Sequence, residues 1–211
     1  MKIRLEFEKN IRYISHLELM KAIQKILKRT GLKIKYSQGY NPHIILSVAN
    51  PIPVGVCGKS EFADFELEDD IDEKILLDLL VSSSPVGLVP KNIYKECKKD
   101  FNSSYKAVYK IEVNSAETDK IKDFFNEDVI EVEKKAKGKI KIINIKEYIY
   151  SYSFEENCSG FFINCELACG TTKNLNPNLI KKALEEKNID IKAFLPVRFN
   201  VLDENNEDFR K

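Results

Sequence analysis

Two histidines in this 211-residue chain sit in short polar segments, Ser15-His16-Leu17-Glu18 and Ser37-Gln38-Gly39-Tyr40-Asn41-Pro42-His43. These are side chains that can supply a base, an acid or a metal ligand. Ser15 with Glu18 three residues later has the pattern of a capping box, which puts His16 on the first turn of a helix beside free backbone N–H groups. The field there disfavours a protonated imidazole, so His16 is expected to be neutral and to act as a hydrogen-bond partner or base. Gly39, Asn41 and Pro42 are turn chemistry. With Glu18 or Glu61 the two histidines could bind a metal, share acid and base roles, or hold a ligand, and nothing in their spacing enforces any of these. His16 and His43 are therefore the candidate catalytic residues; no metal site is assigned and no cofactor is expected. An RNA 2′-hydroxyl is an internal nucleophile, so a histidine base beside cations would suit metal-independent cleavage. The same residues could equally hold a phosphate without cutting it.

The cations lie close by in sequence. Lys21, Lys25, Lys28 and Arg29 fall along one side of the helix that His16 begins, flanked by Arg12, Lys33 and Lys35. Such a row serves either as a solvated face or as a surface that tracks phosphates, with Tyr36 and Tyr40 available to stack on bases. The net charge of +1 conceals a local asymmetry. Residues 1–59 carry eleven basic and three acidic side chains, whereas residues 60–78 carry one basic and nine acidic. The two segments form either a dipolar surface or a mutual salt-bridge network. No phosphate-binding glycine loop, nucleophile elbow or paired-cysteine zinc motif occurs. Cys57, Cys97, Cys158, Cys165 and Cys169 have no regular spacing and are expected to be reduced thiols. Tyr148, Tyr150 and Tyr152 alternate as if on one strand face, where they could form an aromatic platform or pack in the core.

Hydrophobic periodicity supplies the elements that position these residues. Alternation predicts strands at 2–8, 32–36, 43–49, 61–67 and 86–97, and a 3.6-residue period predicts helices at 16–30, closed by Gly31, and from an Asp72 cap to about Leu80. The second half repeats the order: strands at 105–113, 129–133, within 139–154, at 160–168 and 189–202, with helices at 117–125 and 177–187, the latter capped by Asn176. The expected fold is α+β, two tandem ferredoxin-like (split βαβ) domains with antiparallel sheets, the first carrying an extra hairpin. The domains are placed at 1–100 and 104–211, divided by the polar stretch 98–104. Charged residues make up 32% and hydrophobic ones 43%, and no apolar run approaches a membrane span. A cytoplasmic protein is expected.

The runs Arg12-Tyr13-Ile14-Ser15-His16-Leu17-Glu18-Leu19-Met20, Tyr36-Ser37-Gln38-Gly39-Tyr40-Asn41-Pro42-His43 and Pro53-Val54-Gly55-Val56, with Ser60-Glu61, resemble those of a bacterial family of radical SAM-linked proteins. Glu18, Tyr40 and Ile44 stand where that family commonly has Asp, Phe and Pro. The resemblance names no reaction. It implies association with a radical SAM enzyme, and because such chemistry commonly modifies RNA it implies a subunit that binds RNA or presents substrate, in tRNA or rRNA modification. The binding site on this reading is Arg12, Ser15, His16, Gly39, Tyr40, Asn41 and His43, approached over Lys21, Lys25, Lys28 and Arg29. The expected partners are a radical SAM protein and RNA, with no membrane and no activity of the chain alone. The alternatives are an RNA-processing or RNA-modifying enzyme using His16 or His43 as base, and a protein-interaction scaffold.

Overall fold

The computed structural model describes residues 1–136, 139–157 and 160–210. The chain divides into two units, Met1–Ser104 with Asn200–Lys211, and Tyr105–Phe199. The sequence reading carries its second domain through to residue 211, whereas residues 200–211 group with the first unit.

In the first unit β1 (Lys2–Lys9), α1 (His16–Arg29), β2 (Leu46–Val48), β3 (Cys57–Glu66), α2 (Glu73–Ser83) and β4 (Leu88–Lys95) follow in order. The sheet runs β4-β1-β3-β2 with every pairing antiparallel. Period-2 alternation divides β1 between two faces. Ile3, Leu5 and Phe7, with Ala63 and Phe65 opposite on β3, belong to the apolar core together with Leu19, Ile23, Ile26 and Leu27 of α1 and Leu76 and Leu80 of α2. Arg4 and Glu6 point the other way and are buried too, at 1% and 4% exposure.

That second face is closed by the chain's last residues. Arg4 grips Asp64 bidentately, Nε to Oδ1 at 2.7 Å and a terminal nitrogen to Oδ2 at 2.8 Å. Its remaining donors reach the carbonyls of Phe209 (3.0 Å) and Lys99 (2.8 Å), and its guanidinium lies 4.3 Å from the Phe101 ring centroid. Phe209 is fully buried against Phe62 and Phe101. Glu6 accepts from Ser60 (2.7 Å), Asn92 (2.8 Å), Tyr94 (2.8 Å) and Arg210 (2.9 Å). Burial alone would raise the Glu6 carboxyl, but these four donors overcome it and hold the group at about 2.

The second unit contains β5 (Lys106–Asn114), α3 (Thr118–Asn126), β6 (Glu131–Ala136), β7 (Lys139–Asn144), β8 (Ile149–Asn157), β9 (Gly160–Ala168), α4 (Asn178–Glu186) and β10 (Ala193–Leu202). Its sheet runs β10-β5-β9-β8, with β9 antiparallel to both neighbours, and β6 and β7 form a separate two-stranded ribbon. Ile121, Phe124 and Phe125 of α3 and Ile180, Ala183 and Leu184 of α4 contribute the helical part of its core.

Three expectations need correction. The regular extra hairpin is the β6–β7 ribbon of the second unit, not a feature of the first. Residues 32–36 form no strand, because Lys35 donates its N–H to Glu66 while its carbonyl accepts from Ile45, and switching partners leaves only the isolated bridges Ile34–Leu67 and Tyr36–Ile44. The tyrosines at 148, 150 and 152 do not share a face. Tyr148 sits in a 3₁₀ turn and the β8 register shifts between Ile149 and Ser151, so Tyr150 stacks on Tyr105 while Tyr152 packs on Phe125 and Phe154.

Replacing Asp64 with Ala strands a buried guanidinium and should cost about 3–5 kcal/mol in chemical denaturation. The Glu6 network contributes stability in full above the ordinary glutamate value of 4.5 and loses it as the pH falls toward about 2. Acid titration of wild type against Glu6→Gln should show that this part of the acid loss disappears in the variant.

Candidate functional site

The helix that begins the site forms as its cap dictates. Ser15 Oγ accepts from the Glu18 N–H at 3.3 Å and the Glu18 carboxylate accepts from the Ser15 N–H at 2.7 Å. That backbone bond, followed by the Ser15 hydroxyl, lowers the Glu18 carboxyl from its ordinary value. Glu18 thus spends its charge on the cap. At the other end Gly31, at φ +73°, supplies the left-handed residue that ends a helix. His16 lies on the first turn with Nδ1 buried and without a hydrogen-bond partner, and burial depresses its pKa. It is a neutral imidazole at neutral pH.

Two signature segments meet behind this turn. Pro53 to Val56 makes a turn closed by the Val56 N–H on the Pro53 carbonyl (3.2 Å), with Gly55 at φ +88° where such a turn requires it. Arg12 and Gly55 bond reciprocally: the Gly55 N–H donates to the Arg12 carbonyl at 2.7 Å, and the Arg12 guanidinium donates to the Gly55 carbonyl at 3.2 Å. Around them Tyr13, Leu17 and Val54 are 79%, 71% and 49% exposed.

The 37–43 loop is a separate structure. Ser37 and His43 clasp its base, with the Ser37 N–H on the His43 carbonyl (2.8 Å), the His43 N–H on Ser37 Oγ (3.1 Å), and Oγ 2.9 Å from His43 Nδ1. Gly39 adopts φ +137° at the tip, and Tyr40 is fully exposed. The flanks of the loop lie beside Glu66, which pairs with Lys2 at the start of β1, whereas His16 follows the opposite end of that strand. No hydrogen bond joins the two histidines among the described residues, so the structure presents two polar sites at opposite ends of β1 in place of one centre. Among the described residues no three His, Cys, Asp or Glu side chains converge as metal ligands. Cys165 and Cys169 are buried, and desolvation pushes the Cys165 thiol up to about 12. Cys158 lies outside the described residues.

Charge pairing resolves the asymmetry of the first 78 residues. Lys2 and Arg4 pair with Asp64, Lys33 with Asp69, Lys35 with Glu66, and Lys59 with Glu8. Lys9 donates to the Val56 carbonyl and Arg12 to that of Gly55. Lys21, Lys25, Lys28 and Arg29 remain, exposed and without a salt bridge, Arg29 making only a 3.5 Å contact to the Ser83 carbonyl. With Glu18, Ala22 and Pro85, three of them line an open depression of about 330 Å³. The first segment therefore neutralises itself against the acidic one except along α1. Sequence reading missed a second set of cations on the β6–β7 ribbon, although the run 134–146, with six lysines and no acid, signals it. Among the described residues no helix is long and apolar enough to cross a membrane.

Residues 2–177 match a family described as "Uncharacterized protein conserved in bacteria (DUF2344)". No curated protein matches the chain.

An NMR titration of the two imidazoles should place the His16 midpoint below the ordinary 6.5. A midpoint at or above 6.5 would mean that water or a carboxylate reaches Nδ1.

Proposed function

The chain belongs to the DUF2344 family, and we propose that it is an RNA-binding accessory subunit, acting in the cytoplasm beside a partner radical SAM enzyme and catalysing nothing alone. One observation carries the RNA part: of eleven basic residues in the first 59, the four on α1 alone are left without a salt bridge or a close carbonyl. Their spacing, at i, i+4, i+7 and i+8, spreads them over about 12 Å of helix, the reach of two or three successive phosphates. A cation that pairs with nothing in its own protein gains most from a polyanion, because each phosphate it neutralises releases counterions. Lys28 and Arg29 also favour the negative end of the helix dipole, so part of their placement serves the helix itself.

The apolar patch of Tyr13, Leu17 and Val54, held together by the Arg12–Gly55 bonds, is the surface proposed for the enzyme partner. Tyr40, presented on a clasped loop at the other end of β1, would stack on an unpaired base or dock on that partner. We read both units as ferredoxin-like. The orders β4-β1-β3-β2 and β10-β5-β9-β8, each with a helix after the first and third strands of its four, support this reading, with the β6–β7 ribbon as an insertion in the second unit.

Fluorescence anisotropy with a labelled single-stranded RNA tests the proposal. Binding should weaken with salt, with a log–log slope of about −2 to −3 for three or four phosphate contacts, and Lys21→Ala/Lys25→Ala should flatten it by about 0.7 per residue. No binding at low salt, or a slope that the double variant leaves unchanged, would refute the α1 site.

A further inference from the structure

We infer that the β6–β7 ribbon of the second unit is a separate binding site for the sugar–phosphate backbone of single-stranded RNA. The observation behind it is a lapse in charge pairing. Elsewhere in this unit exposed lysines face carboxylates: Lys106 meets Glu166 at 2.9 Å, Lys110 meets Glu155 at 2.8 Å, Lys182 meets Glu186 at 3.2 Å, and Lys120, Lys181 and Lys187 pair with Glu117, Glu185 and Glu127. On the ribbon Lys134 stands directly opposite Lys141, and neither has an ion-pair partner among the described residues. Lys135 and Lys139 occupy further ladder positions, opposite Ile140 and Ala136. Like charges facing each other across a ladder weaken it, and a two-stranded ribbon has little stability to spare.

Two apolar side chains accompany this charge. Ile140 and Ile142 are 59% and 64% exposed, and their spacing of two puts them on the same strand face. A strand carrying unopposed cations on one face and exposed isoleucines on the other suits a polyanion that also offers sugar and base surface. The deep, narrow major groove of duplex RNA does not admit side chains, which favours a single strand. The structural alternative is that the lysines only keep an exposed ribbon from pairing with other chains. That alternative needs the positive charge but no ligand.

The site stands on the second unit alone, so it can be tested apart from α1. The full chain is titrated against a labelled single-stranded RNA over a range of salt, as wild type, Lys141→Glu and Lys141→Gln, with Lys21→Ala/Lys25→Ala in parallel. Lys141→Glu places a carboxylate opposite Lys134, so its melting temperature should equal or exceed that of wild type. Its RNA affinity should nevertheless fall about tenfold at low salt and its log–log salt slope should shrink by about 1, with Lys141→Gln showing a smaller change in the same direction. Unchanged affinity and slope in both ribbon variants overturns the inference. Loss of binding to vesicles containing phosphatidylserine with RNA binding intact overturns it too, and assigns the ribbon to a lipid surface. A response in the ribbon variants with none in the α1 variant removes the α1 reading and leaves this one standing.

Discussion

The first unit is organised around a buried guanidinium. An arginine side chain at 1% exposure is tolerable only when its donors are satisfied, since an unpaired charge in the interior costs several kcal/mol. Arg4 meets that condition with four bonds drawn from β3, from the segment after β4 and from the final residues of the chain. Each of those segments is thereby committed to one position. Phe209 then covers the pair with Phe62 and Phe101, and Arg210 completes the ring of donors around Glu6. A sheet face of this kind, with helices on its other side, is closed by its own chain. The network that closes it is polar at the centre and aromatic at the rim.

The same accounting of charge organises the surface. Basic and acidic runs adjacent in sequence become a salt-bridge network because β1 and β3 pair in antiparallel register and the acidic residues of β3 and the turn after it come to lie beside the lysines of β1 and of the 32–36 segment. What that register cannot neutralise is the outer face of α1, whose cations project away from the sheet. The second unit repeats the pattern. Its sheet and helices match lysine with glutamate, while the β6–β7 ribbon does not. In both units the unmatched cations lie on elements outside the pairing of the main sheet, and this is where an anionic ligand gains most.

The histidines illustrate how a suggestive sequence divides on folding. His16 and His43 are separated by 27 positions and flanked by similar polar residues. The capping box anticipated from Ser15 and Glu18 forms, and burial adds to the helix field in keeping the His16 ring neutral. His43, by contrast, is occupied with Ser37, clasping the loop that exposes Tyr40. The thirteen-residue connection after Gly31 switches partners between Glu66 and Ile45, and this switching anchors the loop at the end of β1 away from His16. Two sites of different character result, one a helix start backed by a tight turn, the other a stiff, exposed loop.

Local physical chemistry determined a large part of this protein before any tertiary contact is considered. Periodicity located all four helices and nearly every strand to within a few residues, the Ser15 cap and the Gly31 stop included, because amphipathic pattern and end chemistry act over a few neighbouring positions. The row of cations on α1 was legible for the same reason. Tertiary structure alone decided which lysines lose their charge to a partner, that Arg4 and Glu6 are interior groups although their types suggest a surface, and that residues 200–211 close the first unit. Those outcomes depend on pairings between positions 60 to about 200 residues apart, such as Arg4 with Asp64 and Glu6 with Arg210. A one-residue change of register would send each of these side chains to the opposite face, so no reading of neighbouring residues could have settled them.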